Sequence, residues 1–327
     1  MRSFSWLKSI ALAGALVAPW ACSIAQTKWD LASANPPTNF QTINLDRFVE
    51  DVEKRTNGAL KITHHSNASL FKMVEIRRAT QRGQVAVGEV LLGTMVNEFP
   101  LLAFDAVPFL FTSREEGQRF WREIRPFVEK KLAEQGLTIL YVQPWQPQGL
   151  YSTKEVKSIA DIKGTRFRAH SPVFAKYAQA LGAQPLSIPY TELSQAILTG
   201  TVDTMMTGIT AAADLKFAKN MPYYYDVQAS FTHSIVFANL EKLNQLPEPL
   251  RAELRRAAAA AEERAVQNVI ALEQQQIKTV IEAGMKVTLS PDPKLKAEML
   301  EAGKGVIDEW LQQAGPEAQR ALAAIRR

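Results

Sequence analysis

The sequence predicts an α/β protein built in two lobes. Three observations carry this. Strand and helix patterns alternate from residue 28 to residue 92, the arrangement that builds a doubly wound sheet. The alternation resumes after Phe109 and then passes a breaker-rich segment at residues 144–149, of the kind that crosses between lobes. A single helical pattern over residues 249–283 is too long for one small lobe.

Each element follows from local chemistry. Residues 28–34 read as a strand that ends at Asn35-Pro36-Pro37, since proline removes backbone donors. Phe40, Ile43, Leu45, Phe48, Val49 and Val52 fall near helical spacing, and Thr56-Asn57-Gly58 closes that helix. Residues 59–64 alternate like a strand, 74–82 form a helix stopped by Gly83, and 85–92 form a buried strand. A helix over 115–135 ends at Gly136, and a strand follows at 137–142. Beyond the breaker-rich segment come a strand at 165–169, a helix at 172–181 before Gly182, and a helix at 192–199 before Gly200. Strands follow at 202–206 and 230–238. In the last long pattern, Leu250, Leu254, Ala258, Ala261, Ala265, Val269 and Leu272 make one amphipathic stripe with no interrupting glycine or proline. At ~1.5 Å per residue that helix is roughly 50 Å long. Its stripe is alanine-rich and lacks heptad leucines, so it spans two lobes rather than forming a coiled coil.

Composition narrows the function. The 327 residues are 46% hydrophobic and 22% charged, an ordinary globular balance. Residues 1–25 carry Arg2 and Lys8, a short apolar run at 10–18 and the small residues Ser23 and Ala25, which reads as a cleaved export signal. A lipid anchor on Cys22, the one cysteine, is disfavoured by the bulky Pro19 and Trp20 before it. Cleavage after Ala25 leaves a chain with no cysteine, which excludes thiol catalysis and disulfides. No later stretch is apolar enough to span a bilayer. The net charge of +5 falls to +3 without Arg2 and Lys8, and no basic run supports nucleic-acid binding. His64-His65 has no companion ligands and reads as surface. No nucleophile elbow, zinc motif or phosphate loop appears, so no cofactor is expected.

Several motifs resemble those of one family in order and spacing. Asp161-Ile162-Lys163-Gly164-Thr165-Arg166-Phe167-Arg168 resembles the "DLKGLKIR" signature of solute-binding proteins of TRAP (tripartite ATP-independent periplasmic) transporters. The segments 180–185, 192–203 and 105–110 resemble that family's "LGA-P", "E-ALQTGVVDG" and "LPFLF" segments. The resemblance spans nearly all of the chain after residue 25. It implies a monomeric periplasmic protein with two discontinuous α/β lobes, a hinge and a helix spanning both. Such a protein closes over an organic acid and delivers it to a membrane permease pair driven by an ion gradient. On this basis the first lobe is expected at 26–147 and 237–270, and the second at 148–236 and 271–327.

The resemblance makes Arg168 the carboxylate anchor, a task suited to a planar, permanently charged fork. Arg166 reads as a surface arginine. Tyr151 stands where sialic-acid-type members carry a second arginine, and Thr207 where they carry asparagine. One positive charge with two hydroxyls suits a monocarboxylate bearing hydroxyl or aromatic substituents. Trp145, Tyr190 and Tyr225 are candidate pocket walls, each against a reading as core packing. The first lobe offers Asn35 at a strand-to-helix turn, Phe71 after a loop, and Glu89 inside an apolar strand. Glu89 would accept from ligand hydroxyls or pair with a basic residue. A secreted α/β lyase or isomerase acting on a carboxylic acid is the alternative. The lack of paired acid–base groups in the loops argues against it.

Overall fold

The computed structural model describes residues 26–326. The expected export signal at 1–25, with Cys22, lies outside the described residues. The first elements are β1 (Thr27–Ala32), α1 (Phe40–Arg55), β2 (Leu60–His65), α2 (Met73–Gln81) and β3 (Val87–Leu91), in the predicted alternation. Asn39 opens α1 from an extended backbone, its Oδ1 accepting from the Gln41 N–H at 3.0 Å. Then come α3 (Arg114–Ala133), started by Ser113, and β4 (Leu137–Pro144).

The second half contains β5 (Gly149–Ser152), β6 (Arg166–Ala169), α4 (Pro172–Ala180), β7 (Gln184–Ser187), α5 (Tyr190–Leu198) and β8 (Thr204–Thr207). It continues with α6 (Thr210–Leu215), β9 (Tyr223–Tyr225), β10 (His233–Asn239) and α7 (Leu240–Gln245). The chain ends with α8 (Glu248–Glu282), β11 (Lys286–Thr288), α9 (Pro293–Ala314) and α10 (Pro316–Ile325).

The strands form two sheets. The first has the order β2-β1-β3-β10-β4, with β10 antiparallel to both neighbours. The second has the order β11-β9-β5-β8-β6-β7, with β5 antiparallel to β8 and β9. Each sheet has a core on both faces. On one face of the first sheet Phe48 of α1 and Leu254 and Ala258 of α8 are buried, and on the other Ile76 of α2 and Phe120 of α3. On one face of the second sheet Phe174 and Tyr177 of α4 meet Leu295 and Met299 of α9. On the other, Leu193 of α5, Ala211 of α6 and Val280 of α8 pack together.

The α8 helix runs from the first core to the second, as its length predicts. Its buried stripe holds Leu250, Leu254, Ala258, Ala261, Ala265 and Val269. Leu272 is only half-buried, and polar Gln276 takes the next inward position.

Two expected lobe boundaries differ from this arrangement. The boundary at 236/237 falls inside β10, which pairs with the first sheet from His233 onward. The tail does not stay with the second sheet either, because Ala318, Ala321 and Leu322 of α10 join the core that holds Phe120 and Trp121 of α3. His64 is a further correction. Its side chain is buried, Nδ1 lying 2.7 Å from Asp46 of α1 and Nε2 2.7 Å from the Ser33 hydroxyl, so it ties α1 to the sheet.

Candidate functional site

Arg166 and Arg168 lie two apart on β6 and so share one face of the sheet, Phe167 and Ala169 taking the other, and their position along the strand separates their fates. Arg166 is exposed and grips Asp203 with two nitrogens, Nε to Oδ2 at 2.8 Å and Nη2 to Oδ1 at 2.7 Å. It is the surface residue expected. Arg168 is buried, and among the described residues it pairs with no acid. Its Nε donates to the Ile188 carbonyl at 2.9 Å, which fixes the plane of the guanidinium and leaves both terminal nitrogens for another acceptor. Burial pushes its pKa down to about 10, with Tyr190 acting in the opposite sense. That remains far above neutral, so the site keeps an unpaired positive charge inside the protein. Such a charge is costly unless an anion joins it.

Tyr190 stands beside Arg168 and links it to Asp214 and Asn39. Tyr190 opens α5, its hydroxyl close to Asp214 and Arg168 but without a hydrogen-bond partner. Asp214 of α6 accepts from Nδ2 of Asn39 at 3.3 Å. Asn39 is the cap of α1, so this bond joins the two lobes. Burial pushes the Asp214 carboxyl up to about 6, against the pull of Asn39 and Tyr190. Neither Asn39 nor Asp214 is singled out by the sequence. The cap position of Asn39 is visible there, because asparagine before a helical pattern is a start signal. Asp214 lies in an alanine-rich run with no such signal.

The other candidates fall into three groups. Trp145 sits on the crossover between the lobes. Its indole N–H donates to the Ser234 hydroxyl at 3.0 Å, and its ring meets Phe40 edge to face at 5.2 Å. Thr207 is half-buried at the end of β8, opposite Gly149 of β5. In the first lobe, Asn35 has a buried Nδ2 without a partner, and Glu89 has both carboxylate oxygens buried without one. Burial pushes Glu89 up to about 7, restrained by nearby Ser234. Among the described residues Glu89 has no basic partner, so the ion-pair reading is corrected. Phe71 packs against the first core, with no polar role.

Two candidates are corrected. Tyr151 is a core residue, fully buried between Phe217 and Tyr224, with its hydroxyl donating to the Gly208 carbonyl at 3.2 Å. Tyr225 faces the opposite side of the sheet from Tyr151, because β9 pairs Leu150 with Tyr225 and Tyr151 with Tyr224. Its hydroxyl accepts from the Val156 N–H at 2.7 Å. The pleat turns Tyr225 away, as only its pairing partners reveal, whereas Tyr151 shares the face of Arg168 through Met205 and is taken up by packing on Phe217 and Tyr224.

The hinge is polar. Gln146 on the crossover donates to Oε1 of Gln276 in α8 at 3.2 Å, and Thr210 of α6 donates to the same oxygen at 2.6 Å. Arg114 at the start of α3 donates to the Trp145 carbonyl at 3.1 Å and pairs with Glu273 of α8 at 3.6 Å.

Comparison with known proteins places this geometry. Residues 31–313 match the family described as bacterial extracellular solute-binding protein, family 7 (DctP). The crystal structure of DctP7, a Bordetella pertussis extracytoplasmic solute receptor binding pyroglutamic acid, is 36% identical at a TM-score of 0.89. The match covers 92% of this chain and 100% of that one. DctP6 from the same organism, also binding pyroglutamic acid, is 38% identical at 0.89 and covers 92% and 99%. A TRAP solute-binding protein from an unidentified marine metagenome microbe, specific for pyroglutamate, is 33% identical at 0.88 over the same shares.

Proposed function

The chain belongs to the DctP family of bacterial extracellular solute-binding proteins, and from this premise we propose that its cleft captures a small cyclic monocarboxylate with a ring amide, pyroglutamate or a near analogue. It is a TRAP solute-binding protein and not an enzyme, and its ligand is a small organic acid. Proteins of this family are periplasmic and work with membrane permease components. Among the described residues no helix is long and apolar enough to cross a membrane.

The observation that carries the ligand reading is Arg168, buried and charged without an acid partner. A monocarboxylate supplies the missing charge through two parallel hydrogen bonds. The Asn39–Asp214 pair on the far side of Tyr190 adds the second half of the recognition. A lactam presents an N–H and a C=O side by side, and Asp214 with Asn39 presents an acceptor and a donor side by side. Hydrogen bonds to the ligand replace the direct Asn39–Asp214 bond, so closure and recognition share the same groups. Tyr190 closes the pocket above Arg168, Trp145 walls the crossover side, and Thr207 lies at the end of β8. Asn35 and Glu89 line the first-lobe side. The finer reading also includes a monomer released by cleavage near Ala25. Its first lobe would be built from 26–145, 233–270 and α10, and its second from 149–229 and 271–314.

Titration calorimetry with L-pyroglutamate tests this reading. Arg168→Ala should weaken binding at least a hundredfold, since the buried ligand carboxylate loses its partner. Asp214→Ala should weaken pyroglutamate by ten- to a hundredfold while leaving cyclopentanecarboxylate, which has no amide, unchanged. Near-native affinity in folded Arg168→Ala would sink the assignment of the anchor.

A further inference from the structure

One buried side chain beside the anchor has no role in the reading above. His170 follows β6 two residues after Arg168. Both of its ring nitrogens are buried and neither has a hydrogen-bond partner. Its ring leans on Phe174 with centroids 4.3 Å apart, which fixes the orientation of the imidazole. The next residue, Ser171, lies 3.5 Å from where a side-chain carbon on Gly93 of the first lobe would stand, so His170 sits at the seam between the lobes. Burial, and then the charge of Arg168, hold the ring neutral, with a pKa pushed down to about 3.

A buried imidazole with two idle nitrogens is costly unless something bonds to it. A neutral imidazole always carries one N–H donor. Placed beside the guanidinium, that donor adds a directed contact without adding charge, which suits an anion of single charge. A second cation there would favour a dicarboxylate instead. We propose that His170 is a further ligand-binding residue, donating an imidazole N–H to the carboxylate that Arg168 anchors. The proposal rests on the ligand reading given above.

The test is calorimetry with L-pyroglutamate on four folded variants, each compared with the wild type. His170→Phe keeps the ring on Phe174 and removes the donor, and it should weaken binding by about ten- to a hundredfold. His170→Gln restores a donor and should recover part of that loss, which a purely structural role would not give. His170→Ala should lose at least as much as His170→Phe. Arg168→Ala is the reference. If it abolishes binding while His170→Phe binds like the wild type, the role of His170 is overturned and the anchor stands. If the wild type fails to bind pyroglutamate, or Arg168→Ala binds normally, the underlying ligand reading falls. The imidazole nitrogen resonances give a second measure. A shift of one of them on adding pyroglutamate supports the bond, and unchanged resonances at saturation overturn it.

Discussion

Glu89 and Arg168 meet the same physics with opposite results. Both are buried in a medium that disfavours charge. Arg168 is pushed down from the ordinary arginine range to about 10 and stays ionised, so its charge survives burial. Glu89 starts from 4.5 and is pushed to about 7, so near neutral pH it is often protonated. The folded state holds the Glu89 proton more tightly than the unfolded chain. The folded state therefore loses stability as pH rises from about 4.5 to about 7, by up to a few kcal/mol. Glu89→Gln keeps the shape without the titration. Its thermal unfolding midpoint should match the wild type near pH 4.5 and exceed it at pH 8; parallel midpoints across that range would contradict this. Arg168 was legible in the sequence because the whole 161–168 motif accompanies it. Asp214 was not, since its position depends on Asn39, 175 residues away in the chain.

Among the elements, length governs how much the sequence reveals. The α8 helix repeats its stripe over 35 residues, and the period stands out. The β5 strand has only 4 residues, and the segment before it reads as a crossover. What makes it a strand lies elsewhere, in β8 and β9 on its two sides. The α9 helix carries Gly303 and Gly305 inside its span, residues that weaken a helix pattern. The fit of β5 is tight at its first residue. A side-chain carbon on Gly149 would lie 2.3 Å from the Tyr224 ring, which is held against Tyr151. Gly149→Ala should therefore destabilise the protein by about 1–3 kcal/mol. Urea unfolding checks this, and an unchanged midpoint would mean that the sheet yields more easily than its packing indicates.

At the scale of the whole molecule, the hinge is pinned as well as hinged. Arg114 bonds the crossover at Trp145 and pairs with Glu273 on α8, so one side chain holds two of the links between the lobes. Arg114→Ala would leave Glu273 without its partner and free the crossover. The closed arrangement should then be less populated, with ligand affinity falling by about tenfold. Small-angle scattering of the unliganded protein should show a larger radius of gyration. If neither quantity moves, the pin plays no part in closure. The return of late segments to the first lobe has another consequence, for a chain that emerges with its N-terminus first. The interior strand β10 must slot between β3 and β4, and α10 must settle on α3, before the first core is complete. An emerging chain therefore holds its opening hundred residues unfinished until nearly the last turn of helix has come through. The second lobe waits too, for β11 and α9, and a truncation that removes α10 strikes at the lobe that was begun first.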